Sequence, residues 1–272
     1  MFILQKQKNS IMKLCNLKIE ENNAEQFYLD TEQKPYLIVL KQFVSPKMVQ
    51  ELLTMLDFEI REANINVSKS YTYPLGFQEF SSNVTFDFQR YETELFKYFN
   101  SPEKGVFHKI ELVYQKWMEY LSKYIRCNIE LAKMDKEGVL SFSVRRIPPY
   151  QNHIHLHNEN MVPKVHPAFF DVLSTKIDVF DNLSVFVLLQ KPSKGGHLKV
   201  YNDYFPHECS SSFTDINKNN FTLVDMEVGD LVLFTAGGCY HEVTEVEGDL
   251  PRITMGSFLG KSLNSSSLIS YS

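Results

Sequence analysis

Side chains that can bind a metal or move a proton recur at every second position between residues 153 and 159. They are His153, His155, His157 and Glu159. If this segment is a strand, its period of two places all of them on one face of the strand. Burying imidazoles and a carboxylate without partners is costly. The pattern therefore indicates a face that binds a ligand.

A second set of reactive side chains lies near the end of the sequence. Three β-patterned runs, at 231–234, 241–246 and 252–258, are separated by Gly, Asp and Pro residues and predict an antiparallel meander. His241 opens the second run and Arg252 opens the third. The turn between them would bring an imidazole and a guanidinium onto neighbouring strands, where one could hold a metal and the other an acid bound to that metal.

Taken together, these residues resemble the iron(II)/2-oxoglutarate-dependent oxygenases. That superfamily has a His-x-Asp/Glu motif, a distant second His, and an Arg roughly ten residues after the second His. The matching positions in this sequence are His157-x-Glu159, His241 and Arg252. The resemblance predicts an oxidoreductase.

Two glycine-containing motifs extend the resemblance over residues 141–258. Gly195-Gly-His-Leu is similar to the strand that precedes the superfamily's second His, and Gly229-Asp-Leu is similar to its Gly-Asp-Leu strand. Many short strands, with helices gathered in the first half, predict a mainly β protein with α additions. The resemblance implies a double-stranded β-helix (jelly-roll) core backed by N-terminal helices.

The resemblance also implies cofactors and their ligands. Iron(II), 2-oxoglutarate and O2 are expected, with ascorbate as the reductant in assays. His157, Glu159 and His241 would bind the metal, because two neutral imidazoles and a carboxylate leave open positions for the keto acid and O2. Arg252 would hold the far carboxylate of the keto acid with its planar fork. Thr254, on the same strand face, would assist it.

The identity of the metal ligands is not fully decided by the sequence. The superfamily more often has Asp at the position of Glu159, and His155 could replace either His157 or Glu159. The carboxylate argues against a halogenase, since halogenating members lack it and use the vacated position for chloride. We therefore expect hydroxylation.

Substrate contacts are expected from residues beside the metal ligands. The strand predicted over 139–147 contains Arg145 and Arg146, which point to opposite faces, so only one of them can face the barrel interior. We assign substrate binding to Arg146 together with His153 and His155.

Several other elements must position these residues. A Ser-Pro start signal and apolar residues at helical spacing predict a helix over 46–63. Two further helices are predicted over 86–99 and 101–124, and a long loop over 160–182. Strands are predicted over 36–40, 183–189, 197–201 and 221–224.

The predicted domain organisation is simple. With 272 residues and 43% hydrophobic content, the chain can bury one substantial core. We expect a polar N-terminal arm over 1–33, a single oxygenase domain over 34–260, and a flexible Ser-rich tail over 261–272.

Charge and cysteine content limit the partners. There are 28 Lys and Arg residues against 33 Asp and Glu residues, giving a net charge of −5, which argues against nucleic acid or an anionic membrane as a partner. The four cysteines form no Cys-x-x-Cys pair, which fits a reducing compartment. No signal peptide or membrane-spanning run is recognised, so a cytoplasmic protein with a small-molecule substrate is expected.

The predicted reaction is hydroxylation of an unactivated C–H bond in a small metabolite, namely a free amino acid or an amino-acid derivative. An oxidative cyclase or desaturase and a peptidyl-residue hydroxylase are alternatives within the superfamily. A non-catalytic jelly-roll protein that binds a metal is an alternative from another class. Arg252 argues against the last, because such a protein has no need of a guanidinium at that spacing.

Overall fold

The computed structural model describes residues 13–18, 36–62, 65–74, 80, 85–87, 89–91, 93, 104–134, 137–138, 140–151, 154–205 and 216–272. The helices with described bounds are α1 (Pro46–Glu62), α2 (Lys104–Ile125), α3 (Val162–Val165) and α4 (Pro167–Leu173). The strands are β1 (Lys13–Lys18), β2 (Tyr36–Lys41), β3 (Tyr71–Tyr73), β4 (Ile129–Leu131), β5 (Lys133–Met134), β6 (Glu137–Gly138), β7 (Ser143–Ile147), β8 (Ile177–Gln190), β9 (Lys194–Gly195), β10 (Leu198–Tyr204), β11 (Phe221–Val224), β12 (Leu231–Phe234), β13 (Cys239–Val243), β14 (Val246–Glu247), β15 (Arg252–Ser262) and β16 (Leu268–Tyr271).

Two sheets of unequal size form the core. The larger has nine strands: seven in the order β1-β2-β12-β8-β15-β16-β4, with β7 pairing with β15 and β3 pairing with β7. The smaller has three strands in the order β11-β10-β13. The pairs within β12, β8, β15 and β7 are antiparallel, as are those of the smaller sheet. The predicted double-stranded β-helix is therefore confirmed.

The alternation of side chains along β12 shows how the layers are arranged. All four residues of this strand are buried, because both faces of the strand are covered. Leu231 and Leu233 belong to the large apolar cluster that includes the buried faces of α1 and α2. Val232 and Phe234 belong to a second cluster, shared with Leu198 of the smaller sheet. A cavity lined in part by Leu198 and Phe234 opens beside this second cluster.

The helices behind the larger sheet form where the sequence predicts them. In α1, the Ser45 hydroxyl accepts a hydrogen bond from the Met48 backbone N–H, at 3.3 Å, and Pro46 is the first helical residue. The helices predicted over 46–63 and 101–124 are confirmed as α1 and α2. Most of the helix predicted over 86–99 lies outside the described residues.

The predicted meander near the end of the chain is wrong. The first run is β12 of the larger sheet, the second is β13 of the smaller sheet, and the third is β15, again in the larger sheet. Successive strands alternate between the sheets because the chain winds around the core. His241 and Arg252 therefore approach one cavity from facing sheets.

The loop predicted over 160–182 is also wrong. This segment contains a 3-10 turn (Glu159–Met161), the helices α3 and α4, and the first residues of β8. Pro163 and Pro167, which suggested a loop, lie in the first turns of the two helices. Proline is tolerated there because the first N–H groups of a helix have no intrahelical partner.

The structure corrects the prediction of a flexible tail over 261–272. β16 pairs with β15 on one side and with β4 on the other, and Leu268 is 3% exposed. The Ser270 hydroxyl donates a hydrogen bond to the Ser257 hydroxyl at 2.9 Å inside the protein. In the predicted arm over 1–33, β1 pairs in parallel with β2, and the remaining residues lie outside the described part.

Within the described part of the chain, no helix is both long and apolar enough to cross a membrane.

The pairing of β16 in the sheet predicts different effects on stability for substitutions at Leu268 and Leu263. Leu268→Ala should lower the free energy of unfolding by about 2–5 kcal/mol, because it removes a buried side chain from the edge of the core. Leu263 is 57% exposed, so Leu263→Ala should change it by less than about 0.5 kcal/mol. Chemical denaturation of both variants is the measurement. Equally small changes in the free energy of unfolding for both variants would instead support a flexible tail.

Candidate metal centre

Two histidines are held side by side by their own backbones. His157 donates its N–H to the carbonyl of His241 at 3.0 Å, and His241 donates to the carbonyl of His157 at 2.8 Å. This isolated antiparallel bridge brings the ring centroids to 4.3 Å from each other. Residues 154–156 and 158 form no regular strand, so the strand predicted over 153–159 is wrong. The isolated bridge between His157 and His241 is formed instead of the predicted strand with its period-two face.

A carboxylate completes the cluster. Glu159 opens the 3-10 turn, and its backbone N–H donates to the carbonyl of Ala236 at 3.0 Å. Its Oε1 lies 3.5 Å from Nε2 of His157 and 3.6 Å from Nε2 of His241. The ligand atoms of the three residues all lie within 4.8 Å of one another. Glu159 is 8% exposed, so little water reaches it.

The outer ring nitrogens orient both imidazoles. Nδ1 of His157 lies 2.6 Å from the carbonyl oxygen of His155, and Nδ1 of His241 lies 3.0 Å from that of Cys239. A carbonyl oxygen can only accept, so Nδ1 carries the proton in each neutral ring, and the lone pair is on Nε2. Two lone pairs and a carboxylate oxygen then converge on one point. Such a group of acceptors can hold a cation between them.

Burial and mutual contact set the charges of the cluster. Burial alone would raise the pKa of Glu159, but the adjacent His157 and His241 side chains outweigh burial and hold its pKa well below the usual range. Burial and the neighbouring His157 lower the pKa of His241. Burial also opposes the charged form of His157, yet contact with Glu159 raises its pKa. The site therefore offers an ionised carboxylate and at least one neutral imidazole, which suits a divalent metal.

The donor set fits iron(II). Two imidazoles and one carboxylate on one side of a metal, with open positions on the other, are diagnostic of non-haem iron(II) oxygenases. Phe234 packs edge-on against the His241 ring, with centroids 4.9 Å apart, and fixes its orientation. His155 is exposed and is not part of the cluster, so the structure does not support its replacing His157 or Glu159. His153 lies outside the described residues.

A cavity of about 740 Å³, including the solvent at its mouth, extends from the cluster into the barrel. Arg252 and Thr254 line it from β15, as predicted from their strand alternation. Arg252 is 4% exposed, and its guanidinium lies 5.3 Å from the centre of the Phe186 ring. Burial and the nearby Arg145 lower the pKa of Arg252 to about 9, which leaves it charged at neutral pH.

Arg252 is a buried cation without a counter-ion among the described residues. Among the described residues, none accepts a hydrogen bond from its guanidinium or forms an ion pair with it. Uncompensated buried charge is unfavourable, and guanidinium matches a carboxylate in geometry. The far carboxylate of 2-oxoglutarate would satisfy both requirements. Thr254, one pleat further along the strand, could donate its hydroxyl to the same ligand.

The assignment of Arg146 to the substrate site is corrected by the structure. Its guanidinium donates to the carbonyl of Val67 and lies 5.9 Å from the centre of the Tyr71 ring, on the face of β7 away from the cavity. Arg145 lines the cavity instead. The missing signal was the strand register, since Arg145 pairs with Thr254 and so shares its face.

Comparison with known proteins places these features in a family. Residues 93–272 match the model of a family described as carrier-protein-independent halogenase WelO5. The fold is similar to that of an N-substituted L-amino acid dioxygenase from Burkholderia ambifaria AMMD, solved in complex with alpha-KG. In that comparison the TM-score is 0.53 and the identity 12%, over 90% of this chain and 88% of that chain.

Two further solved structures show weaker likeness. A 2OG-Fe(II) oxygenase family oxidoreductase from Burkholderia pseudomallei has a TM-score of 0.45 at 10% identity, over 90% of this chain and 94% of that chain. A Pseudomonas putida prolyl-4-hydroxylase has a TM-score of 0.42 at 12% identity, over 84% and 93% of the respective chains. No curated protein matches the sequence.

The metal site predicts opposite results for two histidine variants. His241→Ala should weaken iron(II) binding by more than about a hundredfold, because it removes a ligand rather than an outer contact. His155→Ala is the matched control and should retain the affinity, since its side chain is exposed outside the cluster. Anaerobic calorimetric titration with iron(II) measures both. The reverse order of effects would show that the ligand assignment is wrong.

The arginine in the cavity predicts a separate defect. Arg252→Gln should raise the KM for 2-oxoglutarate by about 30-fold or more, which corresponds to losing a charge-assisted bidentate contact. Iron(II) affinity should be unchanged, because Arg252 is not among the ligands. Arg146→Gln, on the opposite face of β7, is the control for loss of a guanidinium. An unchanged KM in Arg252→Gln would mean that the keto acid binds elsewhere.

Proposed function

We propose that this chain, which belongs to the family of the carrier-protein-independent halogenase WelO5, is a dioxygenase that hydroxylates an unactivated C–H bond of a small metabolite. As an enzyme of the iron(II)/2-oxoglutarate superfamily, it uses iron(II), 2-oxoglutarate and O2. The observation that supports hydroxylation is the position of the Glu159 carboxylate between the Nε2 atoms of His157 and His241.

The carboxylate bears on the choice between oxygen and halogen transfer. If His157, His241 and Glu159 hold the metal, its remaining positions would be available to the keto acid and O2. Halogenating members of the superfamily lack the carboxylate and place chloride there. With Glu159 in that position, no site remains for a halide beside the metal, which favours hydroxylation.

The residues around the metal would control the reaction by placing the reactants. When bound, iron and 2-oxoglutarate together supply the oxidising chemistry for C–H cleavage. Arg252 would fix the orientation of the keto acid from the deep end of the cavity. The apolar side chains of Leu198, Phe234 and Val243 line the wall and would exclude water from the reacting atoms.

The cavity supports a small substrate. The cavity lies beside the metal ligands and must hold the keto acid as well as the substrate, which favours a small substrate. Its lining mixes apolar walls with hydroxyls and guanidiniums, which suits an amino acid or an amino-acid derivative. We propose this substrate class, and place a peptidyl residue second because the metal ligands lie inside the barrel.

Halogenation is the second candidate, favoured by the family match itself. It would require Glu159 to leave the metal so that a halide could enter. Desaturation and oxidative cyclisation begin with the same C–H cleavage, and their products differ in mass from a hydroxylated one. A single product analysis therefore separates all of these outcomes.

The test is a turnover screen in the presence of halide. The chain is loaded with iron(II) and incubated with 2-oxoglutarate, ascorbate and excess chloride or bromide. Free amino acids and amino-acid derivatives are then screened. We expect succinate and a product heavier by one oxygen atom, detected by mass spectrometry. A halogenated product would contradict the proposed reaction while leaving the superfamily assignment intact.

A glutamate variant checks the supporting observation. Glu159→Ala should weaken iron(II) binding by about tenfold or more and abolish hydroxylation, since it removes a charged ligand. Glu245→Ala removes an exposed carboxylate two residues after Val243 and is the control that should keep both properties. Hydroxylation that survives in Glu159→Ala would show that the carboxylate is not needed at the metal.

A further inference from the structure

A second guanidinium faces the cavity. Arg145 lies in β7, where its cross-strand partners are Thr72 of β3 and Thr254 of β15. Its side chain lines the cavity together with Glu159 and Arg252. Arg145 therefore lies one pleat from Arg252 along the shared sheet face, on the side toward the metal cluster.

Arg145 has no counter-ion of its own. No hydrogen bond or ion pair joins its guanidinium to any residue in the described part of the chain. Burial lowers the pKa of Arg145, and the charge of Glu159 acts in the opposite direction from beyond contact distance. Burial, and then the positive charge of Arg145, lower the pKa of Arg252. Holding two unpaired guanidiniums in one cavity is unfavourable unless anions bind there.

The formal charges indicate how many anions the cavity needs. Iron(II), the Glu159 carboxylate and the two carboxylates of 2-oxoglutarate together leave one negative charge. Arg252 cancels that charge when it binds the far carboxylate. Among the groups counted, Arg145 is then left with one positive charge in the cavity. An anionic group bound at Arg145 would offset that charge.

The surroundings of Arg145 suit a carboxylate. Ser143, two residues earlier on the same strand face, and Thr72, directly opposite on β3, add hydroxyl donors beside the guanidinium.

We propose that Arg145 binds a carboxylate of the organic substrate, so that the protein selects small acids over their neutral analogues. The proposal rests on the proposed function, because it takes Arg252 as the partner of 2-oxoglutarate. A planar guanidinium binds a carboxylate through two parallel hydrogen bonds, which would fix the acid end of the substrate. The remainder of the molecule would then extend from Arg145 toward the metal ligands.

The test compares acids with their amides. Iron(II)-loaded chain with saturating 2-oxoglutarate is titrated anaerobically with a panel of free and N-acetyl L-amino acids, each paired with its carboxamide. We expect acids to bind at least about tenfold more tightly than amides, in line with one charged hydrogen-bonded contact. Arg145→Gln should remove this preference, and Arg145→Lys should restore part of it by returning the charge.

Three controls make the result decisive. Arg146→Gln removes the neighbouring guanidinium from the other face of β7 and should keep the preference for acids. In Arg145→Gln, the KM for 2-oxoglutarate should change far less than in Arg252→Gln. Thermal unfolding of each variant identifies any loss of folding. If Arg145→Gln does not fold, the preference for acids over amides is compared between the wild type and Arg145→Lys.

Specific results would overturn the proposal. These are amides that bind the wild type as well as acids, a panel in which no acid binds, or a KM for 2-oxoglutarate that rises in Arg145→Gln as much as in Arg252→Gln. The last result would assign Arg145 to the co-substrate. A different result would contradict the proposed function itself: the wild-type chain with iron(II) and ascorbate would release no succinate from 2-oxoglutarate.

Discussion

The site depends on the pair of backbone hydrogen bonds between His157 and His241. These bonds join the irregular segment after β7 to β13 of the smaller sheet, and they bring the two rings side by side. The carbonyls that accept from Nδ1 belong to residues two positions earlier, His155 and Cys239, so each histidine is oriented by its own local backbone. The metal-binding geometry is therefore built by main-chain contacts, and substrate contacts can vary around it without disturbing it.

The cavity gathers charges that the fold itself does not neutralise. A carboxylate stands among imidazoles at one end, and two guanidiniums without described partners stand toward the other. Each is costly to bury alone. Departures of this kind from an apolar, satisfied interior are expected where ligands bind. The chain belongs to a family named for a halogenase, and a carboxylate, Glu159, lies among its candidate metal ligands.

The chemistry of the site could be predicted from sequence better than its geometry. His157, Glu159, His241 and Arg252 were found from residue type and spacing, because few other roles require that combination. Their arrangement was missed, since periodicity reports which face a residue occupies and not which sheet its strand joins. Arg146 was chosen over its neighbour for the same reason, as only the pairing with β15 decides the face. The Ser-rich end of the chain suggested disorder, although the Ser270 hydroxyl is buried and donates a hydrogen bond to the Ser257 hydroxyl.

The central claim is that a metal bound by this chain has two imidazole ligands from segments remote in sequence. Extended X-ray absorption fine structure of the iron(II)-loaded protein measures this most directly, because imidazole rings give a distinct scattering pattern. The account predicts two imidazoles bound to iron in the wild type and one in His157→Ala. Three imidazoles in the wild type, or an unchanged number in His157→Ala, would contradict it.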